Sequence, residues 1–158
     1  MRSYPAVGHN GPVHAEVFSK ISESVTMSQI LVIEDNPVTQ EVVAELLARR
    51  GHQCVIANNG REGLDMLSGH EIDLVITDII MPEQEGLETI IAIRRENSEL
   101  PIIAMSGSFC PINFMSPIDY LKIAAALGAN ARLNKPFSAN QFYEELDRLL
   151  PLSLASSN

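Results

Sequence analysis

Five short apolar runs, each followed by a stretch of helical spacing, constrain this chain more than any other feature. Ile30-Leu31-Val32-Ile33 is apolar without interruption, the pattern of a strand buried on both faces of a sheet. Cys54-Val55-Ile56-Ala57, Ile72 to Thr77, Ile102-Ile103-Ala104-Met105 and a short run around Ala131 to Asn134 repeat it. After the first run, Asn36-Pro37 supplies an N-cap residue and then proline at the first helical position. Val38, Val42, Val43, Leu46 and Leu47 then mark a helical apolar face, closed by Gly51. Further helices are predicted over residues 60–67, from Leu87 to Arg95, from Ser116 to Leu127, and through Phe142, Leu146 and Leu149. Gly69 and Gly128 stop the second and fourth, and Pro151 ends the last. Ser116 is a candidate cap with Asp119 reaching back, and Ser138 to Gln141 is a capping box. Strict alternation of this kind implies an α/β fold, a doubly wound five-stranded parallel sheet with helices on both faces.

In such a sheet the functional crevice lies at the carboxyl ends of the strands. Glu34 and Asp35 end the first strand, Asp78 the third, Ser106 the fourth and Lys135 the fifth. All five are therefore expected on one edge. Three carboxylates brought together repel and raise one another's pKa. A hard divalent cation removes that cost, and Mg²⁺ suits the place because it needs few protein ligands and keeps waters that phosphate oxygens can replace. Lys135 adds a point charge on a flexible stem, and Ser106 a hydroxyl donor. A carboxylate facing Mg²⁺, an ammonium and a hydroxyl is equipped to attack phosphorus and become an acyl phosphate. Alignment and charge neutralisation supply most of the catalysis of such a transfer.

Composition excludes other classes. The chain has 158 residues, 46% of them hydrophobic, enough for one domain with a sizeable core and too many for wholesale disorder. Its net charge of −9 disfavours binding to nucleic acid or to an anionic membrane surface. No apolar run has the length of a membrane span, and the N-terminus lacks the apolar segment of a secretory signal. Cys54 and Cys110 form no metal motif and read as reduced thiols of a cytoplasmic protein. His9, His14, His52 and His70 show no ligand spacing and read as solvated or edge residues.

The motifs Ile30 to Asn36 with Glu34-Asp35, Asp78-Ile79-Ile80-Met81-Pro82, Ser106, and Lys135-Pro136-Phe137 together resemble the response regulator receiver domain. The resemblance covers about residues 28–150. It implies a flavodoxin-like (βα)5 fold with strand order 2-1-3-4-5. It also implies that Asp78 is the phosphoacceptor and that Glu34, Asp35, Asp78 and the backbone carbonyl of Ile80 hold Mg²⁺. Ser106 and Lys135 would contact the phosphoryl group, and Pro136 would be cis. The phosphodonor would be a sensor histidine kinase or a histidine phosphotransfer protein. The chain would then be a signalling phosphoprotein, catalysing only its own phosphotransfer and dephosphorylation. The expected organisation is a flexible extension over 1–27, a receiver domain over 28–151 and a tail over 152–158. Val13, Val17, Ile21 and Val25 also permit a short amphipathic helix in the extension, and translation starting at Met27 is a further alternative. No output segment is expected, so the signal would pass to an unknown protein target through the fourth helix, fifth strand and fifth helix.

Three positions depart from the family pattern. Arg132 stands where an aromatic residue usually precedes the lysine by three. A guanidinium does not enter an apolar pocket unpartnered, so Arg132 is expected to stay outward as a partner contact or in an ion pair. The stretch from Gly107 to Met115 is longer than the family leads one to expect, and Gln84-Glu85-Gly86 replaces the more usual Met-Asp-Gly. An alternative function is a phosphorylation-independent interaction module with an altered switch, favoured only by Arg132. An aspartyl phosphatase is disfavoured, because Ile80 occupies the place of its usual second aspartate.

Overall fold

Each apolar run becomes a strand. The computed structural model describes residues 27–81, 85–107 and 117–150. Its elements are β1 (Gln29–Ile33), α1 (Pro37–Arg49), β2 (Gln53–Ala57), α2 (Gly60–Gly69), β3 (Leu74–Asp78), α3 (Glu85–Glu96), β4 (Ile102–Ser106), α4 (Pro117–Ala126), β5 (Ala131–Asn134) and α5 (Ala139–Leu149). The strands pair in the order β2-β1-β3-β4-β5, all parallel, which is the expected flavodoxin-like arrangement. The amphipathic spacing of Val13 to Val25, the loop after Gly107, the Ser116 cap, Cys110 and the tail from residue 151 lie outside the described residues.

The sheet divides the core in two. Ile30 and Val32 face Val43 and Leu47 of α1 and Phe142 and Leu146 of α5. Leu31 and Ile33 belong to the opposite layer, with Ile90 and Ile93 of α3 and Tyr120, Leu121 and Ala124 of α4. Both faces of β1, β3 and β4 are thus covered, which is why those strands read as unbroken apolar runs. The edge strand β5 alternates instead: Ala131 and Leu133 are buried, Arg132 and Asn134 exposed. Each large apolar side chain buried in these layers contributes roughly 1.5–3 kcal/mol.

The helix ends follow the local rules. Asn36 Oδ1 accepts from the backbone N–H groups of Val38 (2.9 Å) and Thr39 (3.3 Å), with Pro37 at the first position. Ser138 and Gln141 form the reciprocal capping box of α5. Gly51 (φ 77°) and Gly128 (φ 112°) take the left-handed conformation past α1 and α4, where a side chain would be strained.

Two features differ from the sequence expectation. The apolar face of α1 is split: Val43 and Leu47 are buried, whereas Val38 is 67% and Val42 47% exposed. Successive residues are turned by about 100°, so Val42 lies beside the sheet-facing line of Val43 and Leu47, not on it. Helix α3 begins at Glu85, ahead of the predicted Leu87, and so takes in Gly86.

At the opposite edge of the sheet from the strand carboxyl ends, Arg94 of α3 ties three segments together. Its guanidinium group donates to Gly128 O (3.0 and 2.8 Å), Asn97 O (3.1 Å), Leu100 O (2.8 Å) and Asn130 Oδ1 (2.8 Å). Asn130 Oδ1 also accepts from Ile102 N, joining the turn before β5 to the start of β4. Among the described residues, no helix is long and apolar enough to cross a membrane.

Candidate functional site

Parallel pairing brings the carboxyl ends of the strands to one edge. Glu34 and Asp35 follow β1, Asp78 is the last residue of β3, Ser106 the last of β4, and Lys135 follows β5. Register aligns them further: Asp78 pairs with Met105, and Ser106 with Asn134. Lys135 N–H donates to Ser106 O (2.7 Å), which carries the ladder one step past β5. The Lys135-Pro136 peptide is cis, as the resemblance implied.

Side-chain geometry closes the group. Lys135 Nζ lies 2.7 Å from Glu34 Oε2 and 2.7 Å from Asp78 Oδ2. Asp78 Oδ1 accepts from Ile80 N–H at 2.9 Å, so both oxygens of that carboxylate have partners. Glu34 Oε1 accepts from Asn36 N–H at 3.0 Å. Glu34 is 0% and Asp78 4% exposed, whereas Asp35 stands at the exposed rim. One carboxylate oxygen from each of Glu34, Asp35 and Asp78 lies within 4.8 Å of the others. Ionised, three carboxylates and one ammonium leave the rim with two negative charges in excess.

The electrostatics follow from burial and pairing. Burial lifts the Glu34 carboxyl above its ordinary value; the hydrogen bond from Lys135 opposes the shift and the charge of Asp78 adds to it. For Lys135, burial alone would lower the ammonium, but the charges and hydrogen bonds of Asp78 and Glu34 outweigh it and hold the group above its ordinary value. Lys135 is therefore a firmly protonated cation beside Asp78.

Ser106 is fully buried, and its Oγ has no hydrogen-bond partner among the described residues. A buried hydroxyl without a partner costs roughly 1–3 kcal/mol. Such an orphan at the edge where the carboxylates converge is poised for a ligand oxygen. Arg132 does not join the group. It pairs with Ala104 in the ladder and points outward, and among the described residues its guanidinium group makes no ion pair or hydrogen bond.

Two contributors carried no sequence signal for the part they take in the site. Gln40 of α1 donates through Nε2 to Glu34 O (2.6 Å) and Asn58 Oδ1 (3.0 Å). Gly86 packs so closely under the site that a Cβ there would lie 2.3 Å from Asp78 O and 2.4 Å from Ile79 Cα. Gln40 belongs to no motif, Gly86 closes Gln84-Glu85-Gly86 without that triplet indicating its contact, and both contacts are to distant or backbone atoms that periodicity does not reveal.

Residues 30–147 match the family described as response regulator receiver domain. The transcriptional regulatory protein PcoR of Escherichia coli is 31% identical over 124 residues, which are 78% of this chain and 52% of that protein. The sensor histidine kinase RcsC of Escherichia coli is 35% identical over 79 residues, 50% of this chain and 8% of the kinase. The chain thus spans about half the length, or less, of these curated relatives. Among solved structures, chemotaxis protein CheY4 of Vibrio cholerae superposes with TM-score 0.67 at 26% identity, covering 78% of this chain and 99% of that one. With the parallel β2-β1-β3-β4-β5 sheet and its acidic carboxyl edge, this match establishes that the chain belongs to the response regulator receiver domain family of two-component signalling.

Proposed function

We propose that Asp78 accepts a phosphoryl group from a phosphohistidine, on a sensor histidine kinase or a histidine phosphotransfer protein, in a Mg²⁺-dependent reaction. The observation that carries this reading is the position of Lys135 Nζ, 2.7 Å from both Asp78 and Glu34, in a group whose three carboxylates still exceed it by two charges. That donor set fits a hard divalent cation, held by Glu34, Asp35, Asp78 and the backbone carbonyl of Ile80. When bound, the cation neutralises the rim and the charge of the incoming phosphoryl oxygens. Asp78 contributes the nucleophilic oxygen, Lys135 a charge-assisted hydrogen bond to a phosphoryl oxygen, and Ser106 the hydroxyl that has no partner among the described residues. The P–N bond to the donor imidazole breaks as the O–P bond to Asp78 forms. Incubation with acetyl phosphate and MgCl2, followed by intact-mass analysis, tests the reading: one phosphoryl group is gained, and omission of Mg²⁺ prevents it. A protein that stays unmodified under both conditions sinks the proposal.

The phosphodonor helix is expected to settle on the split face of α1. Val38, Thr39 and Val42 line a groove of about 410 Å³ together with Lys135, Pro136 and Phe137. The groove is apolar where Val38 and Val42 stand exposed and is continuous with the site through Lys135 itself. The double substitution Val38→Ser/Val42→Ser should lower the rate of transfer from a phosphorylated donor protein by about tenfold, the equivalent of roughly 1.4 kcal/mol of lost apolar contact. Labelling by acetyl phosphate, which does not use the groove, should persist. Equal transfer rates for variant and wild type would exclude this face.

Output is assigned to the surface of α4, β5 and α5, where Arg132 lies beside Asn134, Gln141, Glu144 and Glu145 in a second groove. The outward Arg132 serves there as a partner contact. Arg132→Ala is accordingly expected to change stability by no more than roughly 0.5 kcal/mol. A larger loss in chemical denaturation would reveal an internal partner and defeat the assignment. Arg132 is also the feature that favours a phosphorylation-independent interaction module, and a Mg²⁺-dependent phosphoryl gain decides between the two.

A further inference from the structure

The backbone of Glu34 is held at both of its peptides, through its N–H and through the carbonyl that it shares with Asp35. On the sheet side, Glu34 N–H donates to Ala57 O at 3.0 Å. The carbonyl of Glu34 has no turn donor three residues on, because residue 37 is proline and lacks an N–H. The next N–H, that of Val38, is taken by Asn36 Oδ1. Gln40 Nε2 fills the gap with one donor at 2.6 Å and gives its other to Asn58 Oδ1 at 3.0 Å. Asn58 in turn donates from its backbone (2.8 Å) and from Nδ2 (3.0 Å) to Glu62 Oε2. The orientation of these amides is self-consistent: an ionised Glu62 only accepts, so Asn58 presents nitrogen to it and oxygen to Gln40. A run of hydrogen bonds thus extends from α2 through the turn after β2 to α1, and ends on the carbonyl that precedes Asp35.

Asp35 needs such support. It is exposed, and among the described residues no hydrogen bond or ion pair holds its carboxylate. Its place in the acidic group therefore depends on its backbone. We propose that Gln40 is a positioning residue for the cation site: by fixing the plane of the Glu34–Asp35 peptide, its amide sets where the Asp35 carboxylate stands relative to Glu34 and Asp78. This inference rests on the phosphoacceptor reading, and the test separates the two.

The experiment compares wild type, Gln40→Met and Asn58→Ala. Mg²⁺ affinity is measured by calorimetry with MgCl2, and the initial rate of acetyl phosphate labelling is followed across a Mg²⁺ series. Gln40→Met keeps the length of the side chain and loses both donors. It should weaken Mg²⁺ binding by about tenfold, the low end of the range for outer residues that orient metal ligands, with the rate at saturating Mg²⁺ kept within about twofold. Asn58→Ala removes the outer link only and should weaken binding by about threefold. A general structural defect would instead lower the melting temperature and depress the rate at every Mg²⁺ concentration, and that result overturns the inference. So does unchanged Mg²⁺ affinity in both variants while wild type binds and is labelled. Should Gln40→Met fail to fold, the Mg²⁺ affinity of Asn58→Ala decides on the same criterion. If wild type takes up neither Mg²⁺ nor phosphate, the phosphoacceptor reading falls, and this inference with it.

Discussion

Asp78→Asn, incubated with Mg²⁺ and acetyl phosphate, should gain no phosphoryl group, while the wild type gains one. The substitution is nearly isosteric, and the carboxamide retains an oxygen that can accept from Ile80 N–H or from Lys135, as Asp78 does at 2.9 and 2.7 Å. What it removes is the anionic oxygen that, in the proposed transfer, bonds to phosphorus. Loss of a covalent nucleophile lowers a rate by about a thousandfold or more, because the neighbouring groups act only on a transfer that the nucleophile begins. The fold should survive. One of three converging negative charges is gone, and Lys135 keeps its 2.7 Å partner in Glu34. Intact mass combined with a thermal melt checks both halves. Labelling of a folded Asp78→Asn protein at the wild-type rate would mean that another residue takes the phosphoryl group.

The second large effect is expected from Gly86→Ala. A Cβ at this position would meet Asp78 O at 2.3 Å, Ile79 Cα at 2.4 Å and Ile79 C at 3.0 Å. All three are backbone atoms of the strand end that carries Asp78, the proposed phosphoacceptor, so no side-chain rotation relieves the contact. Either α3 moves off the sheet or the end of β3 moves under Asp78. Overpacking of this kind costs typically 1–3 kcal/mol, and a clash confined to backbone belongs at the upper end, about 3 kcal/mol. For a domain of this size that corresponds to a fall of roughly 10 °C in melting temperature. Labelling at a temperature where the variant remains folded should also slow, because the displaced peptide belongs to Asp78 itself. Denaturant titration gives the first number and initial rates give the second. Wild-type stability in Gly86→Ala would show that α3 does not pack on the strand as closely as described.

The two substitutions probe different levels of organisation. Asp78 was legible in the chain because strand ends in a parallel sheet fall at one edge, and any polar residue closing such a strand inherits that place. Glu34, Ser106 and Lys135 were legible for the same reason. The caps at Asn36-Pro37 and Ser138 to Gln141 were equally readable, since each is satisfied within a few residues. Gly86 stood ahead of the predicted helix, and only the approach of α3 to Asp78 shows that its missing Cβ is the point. Val38 and Val42 read as core because they share helical spacing with Val43 and Leu47, and the sheet turned out to cover only part of that face. Gln40 and Arg94 gave no sign at all. Their partners lie 18 and as many as 36 residues away, beyond the reach of any periodic signal.

By itself, then, the order of residues settled those properties that depend on short stretches of backbone. These are which segments are extended and which helical, where they stop, and which polar groups close the strands. The chain's three-dimensional packing decided the rest: which part of an apolar face stays exposed, which glycine must lack a side chain, and which distant amide holds the carbonyl before Asp35. The division has a physical origin. Hydrogen bonding and dihedral preference act over a few residues, whereas steric exclusion and side-chain bonding act between surfaces that meet only once the sheet has formed.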